Sequence, residues 1–329
     1  MASPPLTVAM SVYNDGKYVG AAIDSILSQT FADFELLVID DRSTDDSAQV
    51  IAAKATADSR IRVLPSPEKG RVPALNALFA AAQAPWVAIM DSDDVSMPDR
   101  LEKQMAHAAA NPACGVIGCS AFLIGPDGAR LGEGGDKPLT HDAIYANLED
   151  KPLINHNAVL IARDPVLEIG GYRRAYRHAE DYDLWLQLID RVEFANLPDK
   201  LVAYRVYPDQ VSTRHIVEQT LNAAIAWQAR CEVLAGRADP TCGLDEMPPL
   251  DEIDALFGRV GVAAYARRRV IERALYMPEA LAGDGYEILL DHIAENGPDA
   301  AYWRAAGRLL KSGRPWRAAS VAGALLKAG

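Results

Sequence analysis

The sequence predicts an α/β fold, a mostly parallel sheet flanked by helices, with a helical C-terminal extension. Three observations predict it. Short apolar runs alternate with stretches of helical spacing through the first hundred or so residues. Two of those runs, 34–39 and 86–90, end directly in acids. Beyond about residue 213 strand patterning stops and Ala/Leu/Arg-rich stretches take over.

The elements follow in order. Residues 6–12 are apolar enough for a strand buried on both faces, and Tyr13-Asn14-Asp15-Gly16 is turn chemistry. Val19, Ile23, Ile26 and Leu27 mark a helix over 18–29. The second strand, 34–39, runs into Asp40-Asp41, and Ser43-Thr44-Asp45-Asp46 is rich in helix-capping residues. A third strand is expected at 61–64, a third helix at 72–82 and a fourth strand at 86–90, followed by Asp91-Ser92-Asp93-Asp94. Pro98 sits near the start of a fourth helix. Later come strands at 114–124, 154–162, 192–197 and 202–206, a short helix over 141–148, and an amphipathic helix after Glu180-Asp181-Tyr182-Asp183. Long helical stretches are expected at 216–234, 251–275 and 300–328, with a Pro/Gly loop at 236–249.

Alternation of this kind builds βαβ units, and ligands then bind at the carboxyl ends of the parallel strands. Asp40-Asp41 and Asp91-Ser92-Asp93 are both at strand ends, so two acidic clusters are expected on one rim. Three carboxylates in four residues repel one another and call for a cation with oxygen ligands. Asp91, Asp93 and Glu102 fit positions 1, 3 and 12 of an EF-hand, but Val95 and Ser96 at positions 5 and 6, and the preceding strand, rule that loop out.

The 329 residues allow one large domain plus an appendage, and a net charge of −12 argues against nonspecific nucleic-acid binding. Cys114, Cys119, Cys231 and Cys242 form no CxxC pair, so buried reduced thiols are the expectation for the first two. The N-terminus lacks the features of a signal peptide, and no apolar run is long enough to cross a bilayer. A cytoplasmic protein is expected, with a peripheral membrane contact left open.

Four ordered blocks over roughly 5–212 resemble the family 2 glycosyltransferases. They are Val8-Ala9-Met10-Ser11-Val12-Tyr13-Asn14 with Ala22 to Phe31; Phe34 to Asp45; Asp91-Ser92-Asp93-Asp94 with Met97-Pro98-Asp99-Arg100-Leu101; and Gly170-Gly171-Tyr172 with Glu180-Asp181-Tyr182-Asp183-Leu184-Trp185-Leu186. The resemblance implies a Rossmann-like GT-A catalytic domain over 1–212. Its nucleotide-sugar half spans about 1–100 and its acceptor half about 101–212, with a helical region over 213–329. It implies inverting transfer from a nucleoside-diphosphate sugar, UDP-linked by preference, to a glycan or lipid-linked acceptor.

The resemblance also implies roles. Asp93 is the direct ligand of Mn²⁺ or Mg²⁺, with Asp91 on metal or ribose and Ser92 between them. Asp41 takes the base, supported by Asp40, and Val12 and Tyr13 leave the first strand beside it. Lys69-Gly70-Arg71 is suited to a diphosphate, and Asn76 matches a nucleotide-contacting position, although Leu75 stands where relatives carry Arg. Asp181 is the base and Glu180 a sugar contact. His156 is either a ligand-binding or a structural histidine. Tyr207 stands where relatives often carry His, which leaves a third protein ligand open, and His215 is a distant substitute. The basic, amphipathic C-terminal tail fits an anionic membrane, or packing on the catalytic domain or a second subunit. A sugar-phosphate nucleotidyltransferase and a non-catalytic nucleotide-sugar-binding protein are the alternatives; a single Gly after the first strand and the complete Asp91/Asp93/Asp181 set argue against them.

Overall fold

The computed structural model describes residues 4–149, 153–207, 210, 214–274, 277, 280–281 and 283–328, and the chain divides into two compact units. The first is Met1–Arg173 with Leu184–Tyr207; the second is Arg174–Asp183 with Pro208–Gly329. The segment Arg174–Asp183 is thus grouped with the C-terminal helices. The expected boundary at 212–213 lies outside the described residues.

Among the described residues, the first unit carries one nine-stranded sheet. Strands β1 (Leu6–Val12), β2 (Phe34–Asp40), β3 (Ile61–Leu64) and β4 (Trp86–Ile89) lie in the order β3-β2-β1-β4, all parallel. Helices α1 (Gly16–Leu27), α2 (Ser47–Ala57) and α3 (Arg71–Ala81) make the crossovers. Leu6, Val8 and Met10 of β1 meet Val19, Ile23 and Ile26 of α1 and Leu36 and Val38 of β2 in one core. Burying each such aliphatic side chain is worth about 1.5–3 kcal/mol, which explains the unbroken apolar runs. The parallel register pairs Val12 with Asp40. It therefore delivers the ends of β1, β2 and β4, and the acids after them, to one rim.

The sheet continues through β8 (Leu160–Ala162), β6 (Cys114–Ile124), β9 (Glu193–Arg205) and the two-residue β5 (Val95–Ser96), with β7 (Arg130–Glu133) paired to β6. By paired length the ladders are mostly parallel, because β6 and β9 run side by side from Cys114↔Glu193 to Ile124↔Arg205. The two late strands expected at 192–197 and 202–206 are one strand. It passes Pro198 with a register shift near Ser120, which keeps both halves in the ladder. The strand expected over 154–162 begins as a 3₁₀ turn, His156–Ala158, and only Leu160–Ala162 joins the sheet. β5 pairs Val95 with Ala203 and Ser96 with Val202. It follows Asp94 directly, so this pairing carries the end of β9, with Arg205 and Tyr207, up to the acidic turn. Helix α4 (Arg100–Ala110) comes next in the chain, then α5 (His141–Tyr145) and α6 (Arg163–Glu168). Cys114, Cys119 and Trp185 are buried, and the cysteines are free thiols, as expected.

Helix α7 (Glu180–Leu188) begins in the second unit, and Glu180 and Asp181 are its first turn rather than a loop before it. The other α-helices of that unit, among the described residues, are α8 (Ile216–Leu234), α9 (Ile253–Phe257), α10 (Val262–Ala274), α11 (Gly285–Asn296), α12 (Ala300–Lys311) and α13 (Pro315–Ala328). The stretch expected as one helix over 251–275 breaks where Gly258 and Gly261 take positive φ, and that over 300–328 breaks at Gly313 (φ +76°). Val270, Leu289, Ile293, Ala305, Leu309, Val321 and Leu325 share one core.

Candidate active site

Within the first unit, the acids after β4 are held in three different ways. Asp94 is fully buried and both of its oxygens are committed: Oδ1 accepts the Arg205 backbone N–H at 2.8 Å and Oδ2 accepts from Asn157 Nδ2. Asp93 accepts from Tyr207 OH through Oδ2 at 2.9 Å, and its carbonyl accepts from Arg205 Nε at 2.6 Å. Asp91 accepts from Arg71 Nη2 through Oδ1 at 2.8 Å. Ser92 Oγ donates to Asp15 Oδ2. The guanidinium of Arg205 also lies 4.4 Å from the Tyr18 ring centroid.

Electrostatics separates these acids. Burial alone would raise Asp91, but the charge and hydrogen bond of Arg71, with the charge of Arg100, more than offset it, and its pKa lies below the ordinary value. Burial, then repulsion from Asp91 and Asp15, pushes Asp93 up to about 6 against the Tyr207 hydrogen bond. Burial, then Asp93 and Asp91, raises Asp94 well above the usual carboxylate range. Asp15 is raised too, chiefly by burial. Arg71 pairs with the Asp91 carboxylate, whereas Arg205 meets the Asp93 carbonyl.

Ligand oxygens of Asp91, Asp93 and Asp94 lie within 4.8 Å of one another. An all-oxygen set fits a hard cation of the Mg²⁺ or Mn²⁺ kind. Asp94 is unsuited as a ligand because both oxygens serve the fold. Asp91 and Asp93 are suited, since each has one oxygen that no other side chain engages among the described residues. Tyr207 donates its phenolic O–H to the carboxylate of Asp93. Burial and the neighbouring Asp93 charge hold the proton on its phenol.

The loop before α3 supplies the positive side. Both oxygens of Asp41 accept the Gly70 N–H, at 3.0 and 2.8 Å, and Ser66 Oγ donates to Oδ1 at 3.3 Å. Gly70 has φ +131°, a conformation open to glycine. This anchor directs its neighbours. Lys69 Nζ lies 3.4 Å from Tyr13 OH and 5.0 Å from the centroid of that ring, and Arg71 reaches Asp91. Tyr13 is exposed. Asp40 stays local, its Oδ1 accepting from the Ser43 N–H at 3.3 Å, while Val12 O accepts the Asp41 N–H at 2.7 Å.

His156 is buried, with Nδ1 3.2 Å from Arg71 Nη2 and Nε2 2.9 Å from Tyr172 OH. A guanidinium only donates, so Nδ1 accepts and Nε2 carries the proton. Burial and the Arg71 charge hold the pKa down at about 3, and the ring is neutral at physiological pH. Asn76 clamps the Gly-Gly-Tyr turn from both sides: Nδ2 donates to Tyr172 O at 2.9 Å and Oδ1 accepts the Tyr172 N–H at 2.8 Å. Gly171 has φ +81°, and a Cβ there would stand 2.4 Å from Asn76 Oδ1.

Within the second unit, Asp181 Oδ1 accepts the Tyr182 N–H at 2.7 Å and Glu180 is buried. The segment before them is fastened to α8: Gln219 Nε2 donates to His178 O at 2.9 Å and Asn222 Nδ2 to Arg177 O at 2.8 Å. Tyr176 OH lies 2.7 Å from Thr241 Oγ1. His215 stacks on His178 with centroids 4.1 Å apart, and both imidazoles face Glu218.

The model of the family described as glycosyl transferase family 2 matches residues 7–130. The O-antigen biosynthesis glycosyltransferase WbnJ of Escherichia coli is 33% identical over 207 residues, which cover 61% of this chain and 80% of that protein. The chain belongs to glycosyltransferase family 2. A second relative, the putative glycosyltransferase EpsE of Bacillus subtilis, is 30% identical over 69% of this enzyme and 82% of its own length. Two solved structures share the GT-A fold. Mannosyltransferase PcManGT from Pyrobaculum calidifontis, in complex with GDP-Man and Mn²⁺, aligns over 99% of this glycosyltransferase and 88% of its own chain, with TM-score 0.55 and 18% identity. S. aureus TarS 1–349, in complex with UDP-GlcNAc, aligns over 97% and 89%, with TM-score 0.56 and 17% identity.

Four residues of this glycosyltransferase's acidic site carry no functional signal of their own in the sequence. Arg100 is fully buried beneath it, donating from Nη2 to Ile89 O at 2.7 Å and from Nε to Gln104 Oε1 at 3.1 Å. Its only signal was a place in the Met-Pro-Asp-Arg-Leu block. Asn157 lies beside the more conspicuous His156, and Asp15 and Tyr18 carry only turn and helix signals.

Proposed function

We propose that this glycosyltransferase moves a sugar from a nucleoside diphosphate to a hydroxyl of a surface-polysaccharide or lipid-linked glycan, with inversion at the sugar. The observation that carries the reading is the Asp91/Asp93 pair at the end of β4, each with an oxygen available, flanked by Arg71 on a glycine-anchored loop. Two carboxylates and a nearby guanidinium suit a cation–diphosphate unit, which no acidic turn needs for folding alone. The named activities of relatives in O-antigen and amylovoran biosynthesis support the acceptor class. GDP-Man with Mn²⁺ and UDP-GlcNAc in the two similar structures support a nucleotide-sugar donor.

A divalent cation bound by Asp93 and Asp91 would neutralise the charge that develops on the leaving diphosphate. Arg71 is placed to exchange Asp91 for a phosphate oxygen, a charge-assisted contact of the same kind. Asp41 fixes the loop that carries Arg71, and its carboxylate is also the group assigned to the nucleobase. Asp181 is assigned to the acceptor hydroxyl, from which it takes the proton as the sugar leaves the phosphate, with Glu180 on a sugar hydroxyl.

A thermal-shift screen tests this reading. UDP-, GDP- and other nucleoside-diphosphate sugars are added with Mn²⁺ or with chelator. At least one donor is expected to raise the melting temperature with Mn²⁺ and not with chelator, because a ligand that binds only the folded state stabilises it by mass action. No shift with any donor in Mn²⁺ overturns the reading.

A further inference from the structure

We propose that the last two helices are a docking surface for an anionic lipid bilayer. Their inward faces are accounted for: Ala305, Ala306, Leu309, Ala318, Val321 and Leu325 close the core of the second unit. Their outward faces are not polar in the usual way. Trp303 is 45% exposed, Leu310 61%, Trp316 86% and Leu326 74%. On α12, Trp303, Gly307 and Leu310 follow one another at helical spacing and make one stripe. Arg304, Arg308 and Lys311 make the stripe beside it. The hairpin that follows presents Arg314 and Trp316 together.

Charge selects the occupant. From residue 300 to the end there are six Lys or Arg and no Asp or Glu, in a chain whose net charge is −12. Arg304, Lys311, Arg314 and Lys327 are exposed, whereas Arg317 turns inward to Leu281 O and the Tyr286 ring. Tryptophan and leucine bordered by cations is the composition of a helix lying in the headgroup layer, with indoles at the apolar boundary and cations on the phosphates. A second copy on this face would set like charges against each other across a symmetric contact, which disfavours it. No helix of the described residues is long and apolar enough to span a membrane, so the contact is peripheral. The proposal is independent of the donor, metal and base assignments. Its consequence for them is that a lipid-linked acceptor and the enzyme would share one surface.

The full-length enzyme is sedimented with vesicles of phosphatidylcholine alone, or of phosphatidylcholine and phosphatidylglycerol in equal parts. Binding is expected only to the anionic vesicles, and high salt should release it. The triple variant Arg304→Glu/Lys311→Glu/Arg314→Glu is expected to partition about a hundredfold less. Trp303→Ser/Trp316→Ser is expected to bind at least about tenfold less. All five positions are exposed, so an unchanged circular dichroism melt confirms that the fold is kept. Equal binding to both vesicle types, binding to neither, or full binding by the charge-reversed variant overturns the proposal. So does a dimer in sedimentation velocity that the double tryptophan variant dissolves, because the face would then belong to a second copy.

Discussion

Asp93→Asn is expected to make the enzyme more stable and nearly inactive. In the folded protein the Asp93 carboxyl titrates at about 6 against an ordinary 3.8. The raised value means that ionised Asp93 strains the fold. Wild type carries no such cost at pH below the unfolded value; it loses stability as pH rises from about 4 through about 6, and the loss then levels off. The shift corresponds to about 3 kcal/mol at neutral pH. Asn removes the charge and still accepts the Tyr207 hydrogen bond. Denaturant melts in chelator should therefore show the variant more stable by about 3 kcal/mol at pH 7.5 and little different from wild type at pH 4. Sugar transfer in Mn²⁺ should fall by about a thousandfold, the order lost when one preorganised electrostatic partner of a transition state is removed. A variant that is active, or one destabilised at pH 7.5, contradicts the assignment.

Asp181→Asn is expected to separate binding from chemistry. General-base catalysis by a carboxylate is commonly worth about a hundredfold to ten-thousandfold, and a loss near a thousandfold is expected in the rate of transfer. The Tyr182 N–H bonds to Asp181 Oδ1, and the amide oxygen of Asn can take its place. The first turn of α7 should thus persist, and donor affinity, read by calorimetry with Mn²⁺, should stay within about twofold. Equal transfer rates in variant and wild type remove Asp181 from the base role. Loss of donor binding together with activity makes it a donor contact instead.

The parts of this site that were legible in the sequence are those written locally. An apolar run that stops at Asp91 must place Asp91 at the sheet rim, and the parallel order puts Asp41 on the same rim. Gly70 between two cations is likewise a local signal. What was not legible depends on partners far along the chain. Asp94 looks like a third ligand until Asn157 and the Arg205 N–H are seen to use up its oxygens. Asn76 looks like a ligand contact, yet both ends of its amide hold Tyr172, nearly a hundred residues away. The Tyr207 departure was visible as a missing imidazole, but only the pairing of β5 with β9 shows where the phenol goes.

The helical region shows the opposite weakness. Its composition announces helices, while their ends depend on single glycines such as Gly258, Gly261 and Gly313 in left-handed backbone. Helix Gly285–Asn296 is not announced by composition. Its buried positions Tyr286, Leu289 and Ile293 are few, and they find their partners in α10, α12 and α13.

The central claim is that Asp91 and Asp93 form half of a cation site, completed by the phosphates of the donor. Calorimetric titration of Mn²⁺ into the enzyme, alone and with a saturating nucleoside diphosphate that the screen selects, tests it directly. The account predicts weak binding alone and binding at least about tenfold tighter with the nucleotide, the two ligands helping each other to the same degree. Equal Mn²⁺ affinity with and without nucleotide would contradict it.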